Sequence, residues 1–184
     1  MKDCEVQPNV VTFNTALSAC GKAGQWEKAL ELLNSMIDGE VKPNANTFNS
    51  AISACVDGGQ WEKALELFNS IQDRGVSPNA ATFSAAINAC VKGGQWERAL
   101  ELFNSIHDHG VTPNAATFGA AINACEKGGQ WQKALELIVS MKDRGIQPYA
   151  DSLNAAISTC EENGQWEKAL EISNSTSTYF QLQL

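Results

Sequence analysis

Histidine is nearly absent from this 184-residue chain: His107 and His109 are the only two, and they share one short stretch. That excludes a zinc site built on imidazoles, because such ligands come in sets of three or four. The six cysteines contain no Cys-x-x-Cys pair, and five of them, Cys20, Cys55, Cys90, Cys125 and Cys160, stand 35 residues apart. Each therefore fills one structural position in a repeating unit, and reads as a small buried hydrophobe rather than a metal ligand. There is no phosphate loop, no nucleophile–His–acid set, no His-x-Glu with paired cysteines and no acidic metal cluster. The expectation is a protein that is not an enzyme, with no catalytic residue, no metal, no cofactor and no small-molecule substrate. No apolar run approaches the roughly 18 residues that a bilayer-crossing helix needs, so no membrane partner is expected. The start, Met1-Lys2-Asp3-Cys4-Glu5, has neither the apolar centre of a secretory signal nor the Arg-rich, acid-poor character of a transit peptide.

Proline is also scarce, and its five positions reveal the organisation. Pro8, Pro43, Pro78, Pro113 and Pro148 are 35 residues apart, as are Trp26, Trp61, Trp96, Trp131 and Trp166. The phrase Gly24-Gln25-Trp26-Glu27-Lys28-Ala29-Leu30-Glu31 returns almost unchanged from Gly59, Gly94, Gly129 and Gly164. Framed from Val10, one unit reads as two helices. Phe13, Leu17 and Cys20 recur at i, i+4 and i+7, which puts an apolar stripe on one face of the first helix. Ala16 and Ala19 keep that helix slim, and Gly24 supplies the left-handed conformation that ends it. The second helix is predicted from about Gln25 to Met36, with Trp26, Leu30 and Leu33 on one face, and the tryptophans read as core. A lone hairpin of this kind cannot bury both faces, so the units must stack. The fold expected is all-α: a right-handed α-solenoid of stacked 35-residue helix–turn–helix repeats, about four complete, with partial units at both ends. The divisions are residues 1–9, the tail of a truncated preceding repeat; 10–44, 45–79, 80–114 and 115–149, repeats one to four; 150–172, a partial fifth; and 173–184, a divergent tail read as a loose cap or disordered. Met1 aligns with the interior residue Met141, so the chain reads as one opened inside a longer array.

The unit Val-Thr-Phe-Asn-Thr-Ala-Leu-Ser-Ala-Cys-Gly-Lys-Ala-Gly-Gln-Trp-Glu-Lys-Ala-Leu-Glu-Leu-Leu, closing on Val41-Lys42-Pro43-Asn44, resembles a P-type pentatricopeptide repeat. Its period separates it from the tetratricopeptide repeat, whose period is about 34 residues. Tryptophan early in the second helix departs from the aliphatic residue that the family usually carries there. The resemblance implies sequence-selective binding of single-stranded RNA, about one base per repeat. In that family the fifth and last residues of a unit bond the base edge, and the second packs on the base face. Carried over, the base-reading pairs are Asn14 with Asn44, Asn49 with Asn79, Ser84 with Asn114, and Gly119 with Tyr149. The first two pairs resemble pyrimidine readers that favour cytosine over uracil, and the third an adenine reader. The fourth matches no pair, although Tyr149 could stack on a base. The base-packing residues would be Val11, Asn46, Ala81 and Ala116. The family also implies work on organellar transcripts, in processing, stability, translation or editing, and hence a mitochondrial or plastid location.

Against this stands a net charge of −8. Affinity for phosphate comes largely from Lys and Arg. Most acids, such as Glu27, Glu31, Glu62 and Glu66, fall on the second helices. The first-helix stripe carries Lys22, Lys92 and Lys127 as phosphate-contacting candidates, against Asp57, Asp151 and Glu162. RNA binding by this stretch is therefore expected to be weak and salt-sensitive. The competing reading is an acidic helical-repeat scaffold whose partners are other proteins.

Overall fold

A computed structural model of the chain describes residues 8–39 and 41–181, with side chains as far as residue 174. Among the described residues ten α-helices follow one another: α1 (Val10–Lys22), α2 (Trp26–Asp38), α3 (Ala45–Asp57), α4 (Trp61–Ser70), α5 (Ala80–Lys92), α6 (Trp96–Ser105), α7 (Ala115–Lys127), α8 (Trp131–Asp143), α9 (Ala150–Glu162) and α10 (Trp166–Gln181). Short 3-10 turns at Gln72–Arg74 and Ile106–His109 extend α4 and α6.

The odd-numbered helices stack on one another in order, α1 on α3, α3 on α5, α5 on α7 and α7 on α9. Each even-numbered helix from α2 to α8 packs on its own partner and on the first helix of the next unit. The result is a two-layer solenoid. Small residues let the first helices approach: Ala51, Ala54, Ala86, Ala89, Ala121 and Ala124 are fully buried. A methyl group added to Gly21 would already touch Ala54, at 3.4 Å. Phe48, Phe83 and Phe118 are buried at the junctions, and Phe83 and Phe118 stand edge-on to Phe68 and Phe103 at 5.1 and 5.0 Å.

Helix ends obey the same period. After α1, Gly24 at φ +67° lets its N–H bond Gly21 O and the Gln25 N–H bond Cys20 O, the paired bonds of a Schellman stop. The cysteines lie at the junctions: burial pushes the Cys55 and Cys90 thiols up to about 11 and that of Cys125 to about 12. They are protonated at neutral pH and poorly suited to nucleophilic or redox chemistry.

Two expectations change. The tryptophans are not core: Trp26, Trp61, Trp96 and Trp131 are half-buried, and Trp166 is 61% exposed. Three of the indoles lie over a glycine of the following unit, Trp26 on Gly58, Trp61 on Gly93 and Trp96 on Gly128, where an added Cβ would run into the ring. They are half-covered clasps between units, and Lys63 Nζ lies over the Trp26 ring at 4.0 Å. At the other end, the backbone of residues 173–181 stays helical in α10 instead of forming a loop. No Gly or Pro occurs there, and Ser, Thr and Asn each cost only about half a kcal/mol relative to Ala in a helix.

Candidate nucleic-acid interface

Asparagine after proline sets the start of each first helix. Asn9, Asn44, Asn79 and Asn114 are the N-caps of α1, α3, α5 and α7, each in a capping box with the threonine three residues on. The Oδ1 atoms of Asn44, Asn79 and Asn114 each accept from the backbone N–H of Thr47, Thr82 and Thr117 at 3.0 Å. An Asn cap of this sort contributes about 1 kcal/mol to its helix. The last-position reading candidates are therefore structural residues as well. Asn44 and Asn114 are exposed and Asn79 is half-buried. Tyr149 takes the same N-cap place before α9, makes no side-chain cap, and is 58% exposed.

The fifth-position candidates sit one turn into the first helices, facing the next unit. Asn14 and Asn49 are half-buried, and the Asn14 Oδ1 is buried with no hydrogen-bond partner. Such an atom costs about 1–3 kcal/mol until a donor reaches it. Ser84 is only 9% exposed, and its hydroxyl donates to Ala116 O at 3.3 Å. Gly119 is buried, and an added Cβ would meet Ser152 Oγ at 2.9 Å, so a larger residue there would press on α9. Among the second-position candidates, Val11 is 67% exposed, Asn46 and Ala116 are exposed, and Ala81 is half-buried. Asn46 is already engaged: the Asn79 Nδ2 donates to its Oδ1 at 3.3 Å. That bond joins the packing and last-position candidates of one unit.

Four successive first helices, α3, α5, α7 and α9, line one groove of about 820 Å³. Lys92 and Lys127 lie in it, with Asn88, Asn123, Asn154 and Ser158 as neutral polar neighbours, and Asp57, Glu126 and Asp151 as acids. Lys22 is exposed on α1 and does not line this groove. Nor do Asn44, Asn79 and Asn114, which stand at the N-terminal ends of the helices. Sequence reasoning overlooked Glu126. It occupies the place of the apolar groove residues Val91 and Val56, one repeat and two repeats earlier, and that register was the available signal. The groove can hold a chain of alternating anionic and neutral groups, with two cations to neutralise and amides to bond.

The family model described as the pentacotripeptide-repeat region of PRORP matches residues 1–181. A search of curated protein sequences finds no match. Among solved structures, the chain is similar to the pentatricopeptide repeat protein PPR10 from maize, at 25% identity and a TM-score of 0.68 over 95% of this chain and 25% of that one. It is similar also to PPR10 in complex with an 18-nt psaJ RNA element, at 26% identity and a TM-score of 0.76 over 94% of this chain and 25% of that one. The chain thus spans about a quarter of PPR10. The PPR domain of Arabidopsis thaliana protein-only RNase P 1, in complex with tRNA, shares the fold at 20% identity and a TM-score of 0.71, over 88% of this chain and 87% of that one.

Proposed function

The chain belongs to the pentatricopeptide-repeat family, and on that premise we propose that it binds single-stranded RNA along its row of first helices, about one base per repeat. The observation that carries this reading is the single groove shared by α3, α5, α7 and α9, with Lys92 and Lys127 inside it and a capping asparagine in register at three successive helix starts. The similarity to PPR10 captured with an RNA element supports it.

In this reading Asn14 with Asn44 and Asn49 with Asn79 take pyrimidines, Ser84 with Asn114 takes adenine, and Gly119 with Tyr149 accepts any base by stacking. Val11, Asn46, Ala81 and Ala116 lie against the base faces, and Lys22, Lys92 and Lys127 neutralise phosphates. The preferred RNA is pyrimidine–pyrimidine–A–any base, 5′ to 3′ from the first repeat. A gel shift at low salt with this RNA and a poly-G control tests it. Preference for the former is expected; equal or absent binding to both sinks the assignment, and tight binding to a basic protein in its place selects the scaffold reading.

We also place the full protein in a mitochondrion or plastid, acting on transcripts there, by family membership. A fluorescent fusion of the complete coding sequence found outside both organelles would refute that placement.

A further inference from the structure

We propose that Thr47 and Thr82 are positioning residues that fix the polarity of the asparagine three residues before each, so that its amide offers a base only N–H donors. This rests on the base-reading proposal above and specifies what the reading groups can bond.

An asparagine amide has an accepting oxygen and a donating nitrogen, and rotating its last side-chain torsion exchanges them. A freely rotating amide would suit a hydrogen-bond donor or an acceptor on a base about equally well. These amides do not rotate freely. The Oδ1 atoms of Asn44 and Asn79 accept not only the threonine N–H bonds but also the threonine hydroxyls, at 3.1 and 3.0 Å, whereas the Thr117 hydroxyl donates to the backbone oxygen of Asn114 at 2.8 Å and lies 3.5 Å from its Oδ1. Two donors fill the two lone pairs of a carbonyl oxygen. Turning the amide over would set N–H groups against both. The threonines are fully buried, so water cannot replace the lost acceptor. Each hydroxyl is itself held in place, accepting from the backbone N–H of its asparagine at 3.1, 3.2 and 2.7 Å. What remains to the amide is its NH2 group, and Asn79 already uses it toward Asn46.

Before α9, where Tyr149 stands in place of asparagine, the residue three positions on is Ser152 and no side-chain cap forms. Donor-only amides discriminate where pyrimidines differ most: the ring nitrogen at position 3 is an acceptor in cytosine and an N–H donor in uracil. A locked amide facing that edge therefore favours cytosine, and an unlocked one accepts both.

The experiment uses the whole chain and RNAs that differ only by cytosine or uracil opposite repeat two, with the same exchange opposite repeat one as the internal control. The wild type is expected to favour cytosine at both positions, roughly fivefold or more. Thr82→Val removes the hydroxyl at nearly constant volume. The backbone N–H of residue 82 still bonds the Oδ1, so the preference opposite repeat two should fall by about twofold or more without vanishing, with repeat one unchanged and Thr82→Ser restoring it. Weaker binding by Thr82→Val with the ratio intact opposite repeat two overturns the proposal, since a merely structural cap would do that. RNA binding by the wild type without any cytosine preference also overturns it, while leaving RNA binding itself standing. No RNA binding at all sinks both proposals. Should Thr82→Val not fold, Thr47→Val, read opposite repeat one, decides the question by the same ratios.

Discussion

Asn44 caps α3 and, in the proposed reading, also offers its amide to a base; substitutions there separate the two roles. Aspartate caps a helix about as well as asparagine, so Asn44→Asp should leave the melting temperature within a few degrees of wild type. A carboxylate has no donor, however, and its second oxygen presents an acceptor where the NH2 group stood. The first base preference should then move from cytosine toward uracil, whose ring N–H can donate. Competition binding with RNAs varied only at that base reads the change. An unmoved preference with unmoved stability would remove Asn44 from the reading set. The capping asparagines were legible in the sequence because Pro-Asn with a threonine three residues after the asparagine is local chemistry. The near-burial of Ser84 and the bond from Asn79 to Asn46 were not. Both depend on how closely one first helix approaches the next, a distance that periodicity does not encode.

Between helices, the tryptophans act as clasps, and their cost of removal depends on what lies across the junction. A Trp buries roughly 150–250 Å² when covered, so half coverage at about 25 cal/mol per Å² gives about 2–3 kcal/mol. Trp96, lying over Gly128, should lose about that much on change to Ala. Trp166, in the same place of its unit but 61% exposed, should lose less than half as much. Chemical denaturation of the two variants measures both, and equal losses would mean that the glycine–indole contact is not what holds successive units together. The contact accounts for glycine at residues 58, 93 and 128, but not for Asn163, which follows Trp131 at the same spacing. Spacing correctly assigned the tryptophans to one helix face. It could not say that the ring lies half outside, because coverage comes from the neighbouring unit and not from the helix that bears it.

For the whole molecule, a charge of −8 and an anionic ligand are reconciled only by where the charges lie. The shared groove holds Lys92 and Lys127 against Asp57, Glu126 and Asp151, so it carries more acid than base at its centre. In the proposed reading, RNA binding rests on few phosphate contacts and on neutral bonds from amides. That fixes the salt dependence. On a single strand each neutralised phosphate contributes a slope of about −0.7 in log affinity against log salt, so contacts from Lys22, Lys92 and Lys127 together give about −2, and a fourfold rise in salt weakens binding roughly 20-fold. A basic RNA-binding surface with ten contacts would give a slope near −7. Asp57→Lys, an exposed change in the groove, should raise affinity at low salt and steepen the slope by about 0.7, provided the new ammonium reaches a phosphate. Titrations across salt, with the wild type and this variant side by side, read both quantities. If the slope is flat in the wild type and unaltered by the added lysine, the strand does not run along the groove that α3, α5, α7 and α9 share, and the interface must lie on another face of the solenoid.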